Sequence, residues 1–165
     1  MLTKSEFKDV VSEELRVLRF LGGKVDASKM SWRPSPGQRS IQETMAYLSF
    51  CGIGPARAIM TDDWSGIGAL AEASAGVDKE GFLKAIDSQE TELHALFDSI
   101  PDGDLENRQV ELPWGKKASL GEALNATTSR FLTAYRMQLF LFLKASGQEG
   151  LGFHEAWLGM DKPAS

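Results

Sequence analysis

Ser119 to Gly147, SLGEALNATTSRFLTAYRMQLFLFLKASG, reads as one long helix, roughly 40 Å at about 1.5 Å per residue. Ser119, with Glu122 three residues on, makes a capping box that starts it. Gly147 stops it, and Lys144 lies in the last turn, where a cation suits the helix dipole. Leu120, Leu124, Thr127, Phe131, Tyr135, Gln138 and Phe142 recur every three or four residues and so share one face. Leu139 to Leu143 is apolar on every side. Such a section needs cover from more than one direction. The tail, with Phe153, Trp157 and Leu158, or a second subunit would supply it.

Working outward, Pro101 to Lys117 opens with the turn signal Pro101-Asp102-Gly103-Asp104. Arg108 to Leu112 then reads as a short extended stretch. Before it, Phe82, Ile86, Gln89, Leu93, Leu96, Phe97 and Ile100 form a helical stripe, capped by Asp78 and stopped by Pro101. Thr61 to Val77 is a connection rich in Gly, Ala, Ser and acid, and its Asp62-Asp63 pair reads as solvated. Ser40 and Glu43 make another capping box, with Ile41, Met45, Leu48, Gly52 and Ile59 on the buried side. Pro55 bends or splits that helix near Gly52–Gly54. Pro34 and Pro36 exclude a helix through Lys24 to Arg39. At the start, Thr3 and Glu6 cap a helix with the stripe Phe7, Val10, Val11, Glu14, Val17, Leu18 and Leu21, ended by Gly22-Gly23. Glu14 has two readings: a stem at the stripe's edge with its carboxylate in water, or a polar group aimed inward.

The expected fold is therefore all-α: an antiparallel four-helix bundle with long connections and a short extended segment before the last helix. It is read as a single domain over 1–165, with helices at about 3–21, 41–60, 78–100 and 119–146 and a tail at 148–165. Apolar residues at 42% and charged residues at 25% suit a globular chain. A net charge of −5 argues against a nucleic-acid partner, which calls for a basic patch. Cys51 is the only cysteine, so no intrachain disulfide forms and a reducing compartment fits. MLTKSEFKDV has no apolar signal core, and no apolar run is long enough for a bilayer. The expected location is cytoplasmic, with no membrane partner.

Two segments also carry a resemblance. Phe131-x3-Tyr135-Arg136-x-Gln138, running on to Leu143-x3-Gly147, resembles the last helix of the DinB-like (YfiT-like) four-helix bundles. Trp32-Arg33-Pro34-x-Pro36-Gly37-x-Arg39-Ser40-Ile41-x-Glu43 resembles the loop and second-helix start of the same families. In metal-binding relatives the last helix bears two histidines four apart just before the Arg-x-Gln. A third lies on the second helix, one turn after the Glu. The matching positions here are Phe131, Tyr135 and Tyr47.

Three converging imidazoles with an open position make such a site. Phenylalanine has no donor atom, and tyrosine must lose a proton with a pKa near ~10. No metal and no cofactor are therefore expected. His94 and His154 are not spaced as a pair. His94 reads as a helix-surface residue, and His154 and Trp157 as tail residues able to close a pocket mouth. Cys51 reads as a small buried hydrophobe rather than a nucleophile. Arg136 is expected to pair with a carboxylate of a neighbouring element, and Gln138 to bond a loop backbone.

Two readings of the three aromatics stay open. In one they fill the core. In the other they leave a modified pocket of Tyr47, Phe131, Tyr135, Glu43 and Gln138, in which the buried hydroxyls need partners. The function reading follows: a DinB-like protein without the family metal site that binds a small organic ligand, or acts through homodimerisation as relatives of this type do. The alternative implied by the resemblance is a thiol-dependent S-transferase or isomerase-like enzyme; the changed ligand positions count against it. No catalytic residue is assigned.

Overall fold

Three capping boxes start three helices. In each, the Ser or Thr hydroxyl accepts from the backbone three residues on while the Glu carboxylate reaches back: Thr3–Glu6, Ser40–Glu43 and Ser119–Glu122. A computed structural model of the chain describes residues 2–163. Met1, Ala164 and Ser165, the ends of the expected domain and tail, lie outside the described residues.

The elements in order are α1 (Lys4–Lys24), a 3-10 turn (Ala27–Lys29), α2 (Ile41–Leu48), α3 (Ile53–Thr61), α4 (Ile67–Ser74), α5 (Lys79–Ser99) and α6 (Asp104–Asn107). A hairpin of β1 (Gln109–Glu111) and β2 (Lys117–Ser119) follows. It pairs Val110 with Ala118 in antiparallel register. Then come α7 (Leu120–Leu124), a π-helical turn (Asn125–Ser129), α8 (Arg130–Ala145) and a second π-helical turn in the tail (His154–Leu158).

The fold is an all-α bundle, and side-chain pairings give the directions. Lys8 meets Asp98 while Arg19 meets Asp87, so α1 and α5 run antiparallel. Tyr47 meets Tyr135 while Trp32, ahead of α2, meets Phe142, so α2 and α8 are also antiparallel. Glu14 meets Arg136 while the Lys24 carbonyl accepts from Gln148, so α1 and α8 are parallel. The Gly52 amide meets Gln89 while Arg57 meets Glu92, so α3 and α5 are parallel. The order is up, down, down, up. The chain must return the length of the bundle between α3 and α5, which explains the long Thr61–Val77 connection. That connection is not irregular throughout. It contains α4, which lies on α2 and α3 by setting Ile67 and Leu70 against Gly54.

Helix 1 passes through Gly22-Gly23 instead of ending there. The reason is packing. A Cβ on Gly22 would stand 2.5 Å from Cε1 of the fully buried Phe82. Gly22 is therefore a contact glycine at the α1–α5 crossing. Gly22→Ala is expected to destabilise by about 1–3 kcal/mol through overpacking, outweighing the roughly 1 kcal/mol that alanine gains in helix propensity. Thermal unfolding followed by circular dichroism checks it; an unchanged or raised Tm would rule it out.

The expected second helix is two. Ser49–Gly52 separates α2 from α3, and Pro55 sits in the first turn of α3, where a missing N–H costs nothing. Gln89 of α5, 1% exposed, bridges the break. Its Oε1 accepts from Gly52 N at 2.8 Å and Ile53 N at 3.0 Å, and its Nε2 donates to the Leu48 carbonyl at 3.1 Å.

The last helix also departs from a single regular helix. The π-helical turn Asn125–Ser129 adds one residue without adding a turn. The inward face shifts by that one residue. Leu120 and Leu124 face the core before it; Leu132, Arg136, Leu139 and Leu143 face it afterwards. Phe131, Tyr135 and Gln138, expected on the core face, are turned aside to half-buried positions. They lie on the flank toward α2. In the run Leu139–Leu143, Phe142 is covered by Trp32 of the first connection, edge-on at 5.9 Å, and Leu141 alone stays exposed.

Candidate functional site: an aromatic stack beside an open cavity

Tyr47 is carried on α2 and Tyr135 on α8, and their antiparallel packing brings the rings to 4.5 Å between centroids, tilted by 57°. Phe50 stands edge-on to Tyr47 at 5.4 Å, and Phe131 edge-on to Tyr135 at 6.4 Å. Arg39, just before the Ser40 cap, lays its guanidinium over both tyrosines, 4.5 Å from the Tyr47 ring and 5.5 Å from the Tyr135 ring. Such cation–π contacts contribute about 0.5–1 kcal/mol at exposed sites. Burial first, then the neighbouring Cys51 and Tyr135, holds the Tyr47 phenol far above its ordinary range, and Arg39 offsets this only in part. Tyr47 is thus a protonated hydroxyl at neutral pH.

On the outer side of this stack, between α2 and α4, lies an open cavity of about 450 Å³. Arg39, Glu43, Tyr47 and Phe50 face Ala71 and Ala75 across it. Gln42 ties its far end by donating to the carbonyls of Gly76 and Val77, both at 3.2 Å. Glu43 is held in the capping box, accepting from Ser40 N at 2.7 Å, with Arg33 at 3.3 Å. The Ser40 amide is the main reason its carboxyl sits below the usual range.

The five residues named from sequence thus divide. Tyr47 and Glu43 line the cavity. Tyr135 and Phe131 form the stack behind it. Gln138 stands on the same flank of α8, but it bonds no loop backbone: its Oε1 is buried with no hydrogen-bond partner among the described residues. Sequence reasoning passed over Arg39, Phe50 and the α4 residues. The available signal was the spacing of Ala71 and Ala75, four apart in a Gly/Ala-rich stretch, which suits close approach of two helices.

The side chains of Tyr47, Phe131 and Tyr135 do not fit a divalent metal. Phe131 offers no donor, and Tyr47 resists the deprotonation that a ligand role needs. No group of three His, Cys, Asp or Glu side chains converges among the described residues. Burial raises the Cys51 thiol as well, so it is a core side chain and not a thiolate. His94 is half-buried and pairs with Ser12 Oγ at 2.7 Å between α5 and α1. Asp63 accepts from Ser65 N at 2.9 Å in an exposed turn.

Arg136 of the Arg-x-Gln segment does pair with a carboxylate. It is 2% exposed and donates from Nε to Glu14 at 2.6 Å. Glu14 therefore turns toward the protein and not into water. Arg136 also donates through Nη1 to the Ala156 carbonyl, and Trp157 stacks on it at 5.3 Å. Arg16 holds the Leu158 carbonyl at 2.8 Å. The tail is thus bound along α1 and α8, and His154 and Trp157 do not line the cavity.

Glu155 fixes the tail's turn, accepting from Gly152 N and Lys162 N, both at 2.8 Å. The Gly152 and Glu155 N–H groups, with help from Lys162, lower its pKa against the opposing effect of burial. A lowered folded pKa gives stability that is present above the unfolded value, near ~4.3. It is lost as the pH falls through the folded value. Glu155→Gln is expected to flatten the stability-versus-pH slope below about pH 4.5, measured by urea unfolding across pH. An unchanged slope would exclude this role for Glu155.

No protein-family model and no curated protein matches the chain. Solved structures do. A DinB-like protein, YjoA of Bacillus subtilis, superposes with a TM-score of 0.64 at 17% identity, over 88% of this chain and 97% of that one. A structure assigned to the DinB family from Exiguobacterium sibiricum gives 0.69 at 18% identity, over 94% of this chain and 99% of the other. At these identities the likeness is one of architecture, and the chain has the fold of the DinB-like proteins.

Proposed function

We propose that this chain is a small-molecule-binding protein on a DinB-like fold, without the metal site of the metal-binding relatives, and that its ligand sits in the α2–α4 cavity. The observation that carries the reading is the cavity itself. Its volume of about 450 Å³ falls within the roughly 300–1,000 Å³ of small-molecule sites. Its lining pairs apolar walls with a few polar groups from Arg39, Tyr47 and Glu43. The thiol-transfer alternative needs a metal-activated thiol, and the residues at Tyr47, Phe131 and Tyr135 supply no ligand set for one.

The test is an amide-resolved NMR screen with neutral aromatic fragments. Shifts are expected at Tyr47, Phe50, Ala71 and Ala75, and Ala71→Trp, which fills the cavity, should abolish them. Shifts scattered over the surface, or surviving in Ala71→Trp, would overturn the reading. Metal content measured after exposure to zinc, nickel and manganese is expected to stay well below stoichiometric. A homodimer rests on less, since only Leu141 of the apolar run stays exposed at 54%; sedimentation velocity at micromolar concentration decides it. Among the described residues no helix is long and apolar enough to cross a membrane.

A further inference from the structure

We propose that Arg39 is an anion anchor and that the cavity's ligand is an organic monoanion, a carboxylate on a flat apolar body. The inference rests on reading the cavity as a ligand seat.

It starts from how the arginines are used. The chain is acidic, with 23 Asp and Glu against 18 Lys and Arg. Arginine has abundant partners in such a chain. Five of the arginines stand in ion pairs, and Arg108 donates to the Met60 carbonyl. Among the described residues only Arg39 and Arg130 make neither an ion pair nor a side-chain hydrogen bond. Of these two, Arg39 is the one on a cavity wall.

The Arg39 guanidinium lies over the Tyr47 and Tyr135 rings and donates none of its N–H groups to a protein acceptor among the described residues. Five donors therefore remain at the edge of a plane already held in place. A planar fork of this kind matches the two oxygens of a carboxylate. Little rotamer entropy is left to lose on binding, because the rings have already restricted the side chain.

The rest of the lining sets the charge and shape. Glu43 shares the cavity and is already committed to Ser40 and Arg33. Its negative charge opposes a second anionic group, so one cation matched to one anion is the balanced arrangement. Beyond the charged end, Phe50, Ala71 and Ala75 offer only apolar surface. The two alanines give a wall of small side chains across the cavity from Tyr47 and Phe50, which suits a flat body.

The test compares 2-naphthoate with its uncharged analogue 2-naphthamide, by NMR titration of the full chain and of Arg39→Gln and Arg39→Lys. Arg39 is exposed and precedes the helix cap, so both variants should keep the native circular dichroism spectrum. The native chain is expected to bind 2-naphthoate roughly tenfold or more tighter than the amide, the scale of one charge-assisted hydrogen-bonded contact. Arg39→Gln should equalise the two. Arg39→Lys should keep part of the preference with weaker binding. Equal affinities in the native chain, or a preference that survives in Arg39→Gln, would overturn the anion inference and leave the cavity reading standing. Failure of both probes to bind at millimolar concentration would sink the cavity reading along with it.

Discussion

Arg136→Ala is expected to lower stability by about 3–5 kcal/mol, the range for removing one partner of a buried ion pair. At roughly 2–4 °C per kcal/mol for a chain of this size, Tm should fall by about 6–20 °C. The magnitude follows from what is left behind. Arg136 is 2% exposed, and its side chain serves the Glu14 carboxylate and the Ala156 carbonyl together. Without it, a partly buried negative charge and a buried carbonyl both lose their donor. Trp157 loses the cation it stacks on, so the tail should loosen from α8 and stay tied to α1 through Arg16 alone among the contacts named above.

Arg136→Lys should recover only part of the loss, because one ammonium cannot reach both acceptors in fixed geometry. The pair Glu14→Gln with Arg136→Met should be milder than Arg136→Ala, since it leaves no unpaired charge. Asp102→Asn is the control. Asp102 meets Lys4 at 2.8 Å but is 97% exposed, and solvent-screened pairs of this kind contribute little. Urea unfolding of the four variants checks the order. A loss below about 1 kcal/mol in Arg136→Ala would put this pair in the surface class and remove the reason given for the tail's position.

Gln89→Leu is expected to cost a similar amount, about 3–5 kcal/mol, by a different route. Leucine nearly fills the space but makes none of the three hydrogen bonds. The Gly52 and Ile53 amides and the Leu48 carbonyl would then be buried and unpaired, at about 1–3 kcal/mol each before relaxation. Hydrogen exchange separates this from a general loss of packing. The Gly52 and Ile53 amides should lose protection first, while amides of α1 keep theirs. Full protection at both amides, with a cost under about 1 kcal/mol, would show that the α2–α3 break holds itself.

The two variants sit at the boundary between what was readable and what was not. The pairing of Arg136 with a neighbouring carboxylate was read from the chain, but not that Glu14 is the carboxylate. Gln89 was read as one member of a helical stripe. Its period showed that it faces inward, yet nothing local showed a broken helix opposite with unpaired amides. Arg39 stood in the segment that carried the family resemblance. Its role depends on two rings from different helices meeting beneath it.

The sequence by itself determined the starts of α1, α2, α5 and α7 and the class of fold. Capping boxes, Pro, Gly and the period of apolar residues act within a few residues of where they stand. Local chemistry is enough to place Thr3, Ser40 and Ser119. What only the tertiary structure decided was everything that depends on phase and direction. The π-helical turn shifts the inward face of the last helix by one residue, which sets Leu132, Arg136 and Leu139 in the core. The up, down, down, up order carries α4 back along α2. That return path, and not any motif, makes the cavity beside Tyr47 and sets Arg39 on its wall.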